Sequence, residues 1–209
     1  IHAKYPGKLL AFLLERYKAF DGSRQSGMVI VPTELIPDNG KKLESIVLEL
    51  AHLNGLDDAF IQWLENCNYF CSSLVDRIVP GKPNANTRAQ LEKQFGYTDE
   101  LLTMSEVYRL WAIEGGEHIQ SVLTFAQVDE GVVIAPDINL FRELKLRMLN
   151  GTHTLSCGLA WLAGFGTVKN AMDDAQLSKF IGDLMLQEIA AGIPYEVNPQ
   201  TAQTFGRKV

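Results

Sequence analysis

The sequence is poor in cysteine, in histidine and in positive charge, and each shortage excludes something. Its 209 residues hold three cysteines and four histidines. Cys67, Cys71 and Cys157 form an odd set without the paired spacing that builds a zinc site or a disulfide framework; Cys67 and Cys71, four apart in an aromatic-rich stretch, are expected as buried thiols of a reducing compartment. His2, His52, His118 and His153 include no two at metal-ligand spacing. The 19 Lys and Arg are outnumbered by 25 Asp and Glu, a net charge of −6, which excludes a surface for nucleic acid or anionic membrane, since both need clustered cations. The expected partner is a small molecule or a second copy of the chain. No stretch reaches the roughly 18 apolar residues of a transmembrane helix, and no charged-then-apolar leader opens the chain; a cytoplasmic protein is expected. Ile1 is not an initiator, so the chain is expected to be a piece of something longer.

What is present has the composition of a folded α/β protein. Lys8–Lys18 carries Leu9, Leu10, Leu13, Leu14 and Tyr17 at helical spacing after Pro6, and Asp21-Gly22 ends that helix. Met28-Val-Ile-Val31 is a short apolar, β-branched run of the kind buried on both faces of a parallel sheet. Helices are expected over 41–54 and 57–67, and strands over 73–79, 107–113 and 131–136. Residues 84–103 read as helix plus loop around Gly96. From Asn139 the periodicity turns helical: 139–150 and 152–164, one helix bent near Gly151 or two, then 166–173, 175–191 and a frayed polar end. The change places a domain boundary at 138, giving units 1–138 and 139–209.

The chemistry concentrates in Lys145-Leu-Arg-Met-Leu-Asn150-Gly-Thr-His153-Thr. At about 100° per residue Asn150 lies roughly 140° and His153 roughly 80° around a helix from Lys145, so an amine, an amide and an imidazole can face one cavity. A lysine buried among Leu144, Leu146, Met148 and Leu149 is costly without a role, and burial turns it into a usable general base. Asn150 can donate to a developing alkoxide. The alternative is an exposed lysine, a capping asparagine and a satisfied core histidine, and spacing leaves both open. Val75-Asp76-Arg77 lies within an expected strand, where an Asp-Arg neighbour pair suits a structural ion pair. Gly164-Phe-Gly166 follows a helix and has Lys169 where a dinucleotide fingerprint needs glycine, so it cradles no phosphate.

Taken in order, Asn39-Gly40 after a strand, Val75-Asp-Arg-Ile78, Trp111-Ala-Ile-Glu114 and Lys145 to Thr154 resemble the polyol-specific long-chain dehydrogenase/reductases, the family of mannitol dehydrogenases and uronate reductases. The resemblance covers essentially the whole chain. It implies the C-terminal part of a Rossmann-like nucleotide-binding domain followed by the start of a mostly α-helical substrate domain. Tyr5-Pro-Gly-Lys8, Ile30–Ile36 and Phe70–Val79 are most similar to the uronate-reducing branch. That branch implies metal-independent interconversion of D-tagaturonate and D-altronate with NAD in hexuronate catabolism. Fructuronate or mannitol as substrate, or a non-catalytic binding or assembly module, remain the alternatives.

The resemblance also implies roles. Lys145 is the general base in alcohol oxidation and the acid in ketone reduction, Asn150 stabilises the oxyanion, His153 positions the substrate, and Val75 and Asp76 line the pocket near the nicotinamide. Leu35 stands where related branches place a second asparagine. The glycine fingerprint is expected upstream of Ile1 and an Arg-containing pocket segment after Val209. Arg77, Arg142 and Arg147 are candidates for a substrate carboxylate because they are basic and near the motifs.

Overall fold

The computed structural model describes residues 4–209; Ile1 and His2, noted above, lie outside the described residues. The chain divides into two compact units, the first ending at Pro136 and the second running Asp137–Val209.

The first unit begins with α1 (Tyr5–Ala19), β1 (Val29–Ile30), α2 (Asn39–Leu53), α3 (Asp58–Cys67) and β2 (Tyr69–Phe70). β1 and β2 pair in parallel, Val29 opposite Tyr69, as the apolar run at Met28 suggests. The helices bury one stripe each: Leu10 and Leu13 of α1, Leu43 and Val47 of α2, and Phe60, Trp63 and Leu64 of α3 close a single core with Ile30. Tyr17 meets Phe60 and Trp63 edge-on, with ring centroids 5.2 and 5.6 Å apart. The Trp63 indole N–H, which must find a partner when buried, donates to the Ser23 carbonyl at 3.0 Å.

A second sheet follows, with β3 (Ser73–Asp76), β4 (Leu110–Glu114) and β5 (Val132–Ala135) side by side. β3 runs antiparallel and β5 parallel to β4. The strand expected over 73–79 stops at Asp76 because the next residues bond elsewhere. The Arg77 guanidinium donates twice to the Glu106 carbonyl, and Ile78 N–H donates to the Glu106 carboxylate at 2.6 Å. The strand expected from 107 accordingly starts at Leu110, opposite Asp76. Between them lies α4 (Ala85–Phe95), capped by the Asn84 side chain and ended by Gly96. β2 and the six-residue α5 (Glu117–Val122) are too short for periodicity to register.

The second unit is helical. α6 (Asn139–Glu143) passes without a break through a π-helical segment, Leu144–Asn150, into α7 (Gly151–Leu162). α8 (Val168–Asp173) and α9 (Ala175–Asp183) follow, and α9 continues through a second π segment, Leu184–Ile189. The polar end expected to fray is instead α10 (Pro199–Lys208), started by Pro199 in its first turn and by the Asn198 side chain accepting from Gln200 N–H. Few apolar residues hide its seam: Ala202 and Phe205, three apart on one face, pack with Leu144, Met148 and Met185.

Candidate active site

The helix expected to be bent near Gly151 is continuous, and its irregularity is the π segment just before that glycine. This changes the geometry of the three candidate residues. An i→i+5 turn holds roughly one more residue than an α turn, so each residue advances about 80° rather than about 100°. Over five such steps Asn150 returns to within about 40° of Lys145, and three α-helical steps bring His153 to within about 20° of Lys145 on the other side. All three therefore share one face more closely than an uninterrupted α-helix allows.

Packing decides which face that is. Leu144 and Met148, 2% and 0% exposed, point into the core made with α10 and the second π segment. Lys145 lies on the flank of this stripe and is half-buried, not enclosed as its apolar neighbours suggest, because Leu146 faces outward. Asn150 and His153 are exposed. His153 Nδ1 lies 2.8 Å from the Leu149 carbonyl. A carbonyl only accepts, so that nitrogen carries a proton and Nε2 is left for a ligand. His153 also borders a cleft of about 430 Å³ with Ser156, Cys157, Trp161, Phe165 and Thr167.

In the first unit, Val75 and Asp76 sit together at the end of β3, opposite Trp111 and Leu110. Asp76 makes its influence felt on Tyr108. Burial, then the negative charges of Asp76 and Glu106, push the Tyr108 hydroxyl up from its ordinary 10.0 to about 12. Arg77 lies just beyond the strand, and its guanidinium donates to the Glu106 carbonyl. Arg147 is paired with Glu143 and lies over the Tyr195 ring, and Arg142 donates to Asn139. Leu35 is 83% exposed.

Of the two cysteines expected to be buried, Cys71 is buried and Cys67 half-buried; Cys157 is exposed. Gly164, at φ +92°, follows the end of α7, so Gly164-Phe-Gly166 is a helix-terminating turn. Among the described residues no group of three His, Cys, Asp or Glu side chains is placed to hold a metal ion, and no helix is long and apolar enough to cross a membrane.

A buried polar knot that sequence reading missed centres on Asn39, which is 4% exposed. Its Nδ2 donates to the carbonyls of Pro32, Glu34 and Ser73, its Oδ1 accepts from Ser73 N–H at 2.8 Å, and the Ser73 hydroxyl donates to the same Pro32 carbonyl. The only sequence signal was Asn39-Gly40 beside a Pro-bounded loop, which also describes an ordinary turn.

Comparison with known proteins agrees with this division of the chain. Residues 2–125 match the mannitol dehydrogenase Rossmann domain, and residues 137–209 match the mannitol dehydrogenase C-terminal domain. The altronate oxidoreductase of Bacillus subtilis (strain 168) is 43% identical over 185 residues, which cover 88% of this chain and 38% of that protein. That of Cronobacter sakazakii is also 43% identical and that of Escherichia coli O7:K1 40%, with the same coverage. The chain thus spans about 38% of the length of these relatives. Among solved structures, D-sorbitol dehydrogenase in substrate-free form superposes with a TM-score of 0.70 at 20% identity, covering 98% of this chain and 41% of that one. Pseudomonas fluorescens mannitol 2-dehydrogenase, in a ternary complex with NAD and D-mannitol, gives 0.61 at 21% identity, covering 97% and 41%. These two likenesses speak to the fold: a Rossmann-type unit followed by a helical one. With family models matched in both units, the chain belongs to the mannitol dehydrogenase family.

Proposed function

We propose that the whole protein interconverts D-tagaturonate and D-altronate with NAD(H), in the cytoplasm and as a step of hexuronate breakdown. The observation that carries the reading is the π segment Leu144–Asn150, whose wider turn favours a common side for Lys145, Asn150 and His153. The 40–43% identity to altronate oxidoreductases supports the choice of substrate.

The three side chains fit a partner that carries hydride. An amine and an imidazole move or hold protons and an amide donates a hydrogen bond, but none of them takes up a hydride, and alcohol oxidation needs both. NAD, when bound, supplies that half of the chemistry. In the reducing direction the Lys145 ammonium gives its proton to the oxygen of the reacting carbonyl as the carbon gains hydride; in oxidation the neutral amine takes the hydroxyl proton. Asn150 donates from its amide to the oxygen while it is negative. His153, with Nδ1 committed to Leu149, presents Nε2 to a neighbouring hydroxyl. Val75 and Asp76 line the nicotinamide side of the substrate pocket. The reading needs no metal, because Lys145 and Asn150 handle the charge on oxygen.

NADH oxidation by the full-length protein with D-tagaturonate, D-fructuronate and D-fructose tests this. The expected order places tagaturonate first; equal or better activity on fructose sinks the uronate assignment. Lys145→Ala should lower kcat/KM by about 100-fold or more with an unchanged melting temperature, and normal turnover across neutral pH would remove Lys145 from the reaction.

A further inference from the structure

The loop between β1 and α2 and the start of β3 belong to different sheets, yet one side chain joins them. Asn39 reaches the Pro32 and Glu34 carbonyls at 3.1 and 2.9 Å on the loop side. On the strand side it exchanges two hydrogen bonds with the Ser73 backbone, accepting from its N–H at 2.8 Å and donating to its carbonyl at 3.1 Å. That exchange copies the pairing of two opposed strand residues, with an amide side chain in place of a strand. The Ser73 hydroxyl adds a 2.5 Å bond to Pro32. Four of these five bonds are buried, where water does not readily replace one that is lost.

The neighbouring glycine makes the same junction tight. A Cβ on Gly40 would lie 2.4 Å from Ser72 N, 2.5 Å from the Cys71 carbonyl carbon and 2.7 Å from the Phe70 carbonyl oxygen. These are backbone atoms with no freedom to step aside. The first turn of α2 therefore rests directly on the chain that enters β3.

What this junction holds is informative. Two and three residues beyond Ser73 stand Val75 and Asp76, and the loop gripped at Pro32 and Glu34 carries Leu35 and Ile36 out to solvent. We propose that Asn39 is a positioning residue for substrate: by tying loop 32–38 to Ser73 it sets where that loop stands against Val75 and Asp76. The inference rests on the proposed reading of Val75 and Asp76 as pocket residues. Asn39 does not touch substrate; it acts through the loop and the strand. Displacements of about 1 Å at a reacting centre can cost on the order of 100-fold in rate, so a lost tie is visible in kinetics.

The test uses the full-length protein with Asn39→Ser, which removes the reach to Ser73, and Gly40→Ala, which forces α2 away from residues 70–72. Hydrogen exchange followed by mass spectrometry is read in peptides covering 32–38 and 73–76, with α8 as the internal reference. Steady-state kinetics are measured at a temperature where circular dichroism shows each variant folded. Both variants should exchange faster in both segments and unchanged in α8. KM for the sugar acid should rise about tenfold or more while the dissociation constant for NADH stays within about twofold of wild type. Unchanged exchange in either segment overturns the tie. Faster exchange with an unchanged KM, and loss only in the amount of active enzyme, reduces Asn39 to a stabilising residue and overturns the positioning role. A wild type inactive on D-tagaturonate but active on another sugar of the panel sinks the substrate assignment alone, and the same comparison is then made with that sugar.

Discussion

Gly206 and Met148 pack so closely that a Cβ on Gly206 would stand 2.9 Å from Met148 Cε; the same Cβ would be 2.7 Å from Leu186 Cδ2. The glycine of α10 thus lies against both π segments at once, beneath the turn that aligns Lys145 with Asn150. The atoms it would meet are ends of flexible side chains. Gly206→Ala should therefore fall within about 1 kcal/mol of wild type, because the helix-propensity gain of about 1 kcal/mol offsets a small shift of Met148. Gly206→Val cannot be absorbed that way and should cost about 1–3 kcal/mol through overpacking. Urea midpoints of the two variants check this; a valine variant as stable as wild type would contradict the packing.

Asn150 is exposed and caps nothing with its side chain, so Asn150→Ala should leave stability within about 0.5 kcal/mol of wild type. If its amide meets the oxyanion, kcat should fall by about 100- to 1000-fold. Steady-state rates beside a melting curve separate the two effects, and a variant with wild-type kcat removes the oxyanion role.

The three thiols should react in an order set by their surroundings. Cys157 is exposed, whereas Cys71 is buried and its thiol is pushed up from the ordinary 9.0 to about 11 by burial and then by the charge of Glu114. Since the thiolate is the nucleophile, iodoacetamide at pH 8 should modify Cys157 first and Cys71 last. Peptide mapping over time reads the order directly, and early loss of Cys71 would mean that this core opens on the labelling timescale.

The same burial makes stability sensitive to alkali. Cys71 and Tyr108 keep their protons in the folded protein to about 11 and about 12, while unfolded chains release theirs near the ordinary 9.0 and 10.0. Between those limits the native state binds more protons than the unfolded one, so stability falls as pH rises. The urea midpoint should decline from pH 9 to 12, and Cys71→Ala should flatten the part between pH 9 and 11. A midpoint that stays level through this window would show that neither group is shielded as described.

The sequence reading went furthest where periodicity was strong. Leu10 and Leu13, Leu43 and Val47, and Phe60 and Leu64 recur at helical spacing, and those helices stand where the spacing puts them. Short elements escaped, because two residues of β2 or six of α5 give no period to detect. α10 was misread because only Ala202 and Phe205 mark its apolar seam, and a seam that narrow gains meaning only from Leu144 and Met148 opposite it. The end of β3 at Asp76 was hidden for a related reason: Glu106, thirty residues away in sequence, claims the bonds that would have extended the strand.

For the candidate site, the sequence by itself determined the residue types: an amine, an amide and an imidazole within nine residues, and Val75-Asp76 within a strand. Side-chain chemistry and local order need no tertiary contact to be read. Tertiary structure alone decided their arrangement. The α-to-π change that turns Asn150 towards Lys145 is a matter of one extra residue per turn, and it accompanies core packing of Leu144 and Met148 against a helix some fifty residues later. The role of Asn39 is equally invisible in the chain, because its partner Ser73 lies 34 residues downstream. Hydrogen bonds of that kind depend on which backbones meet in space, and only the folded chain brings those two together.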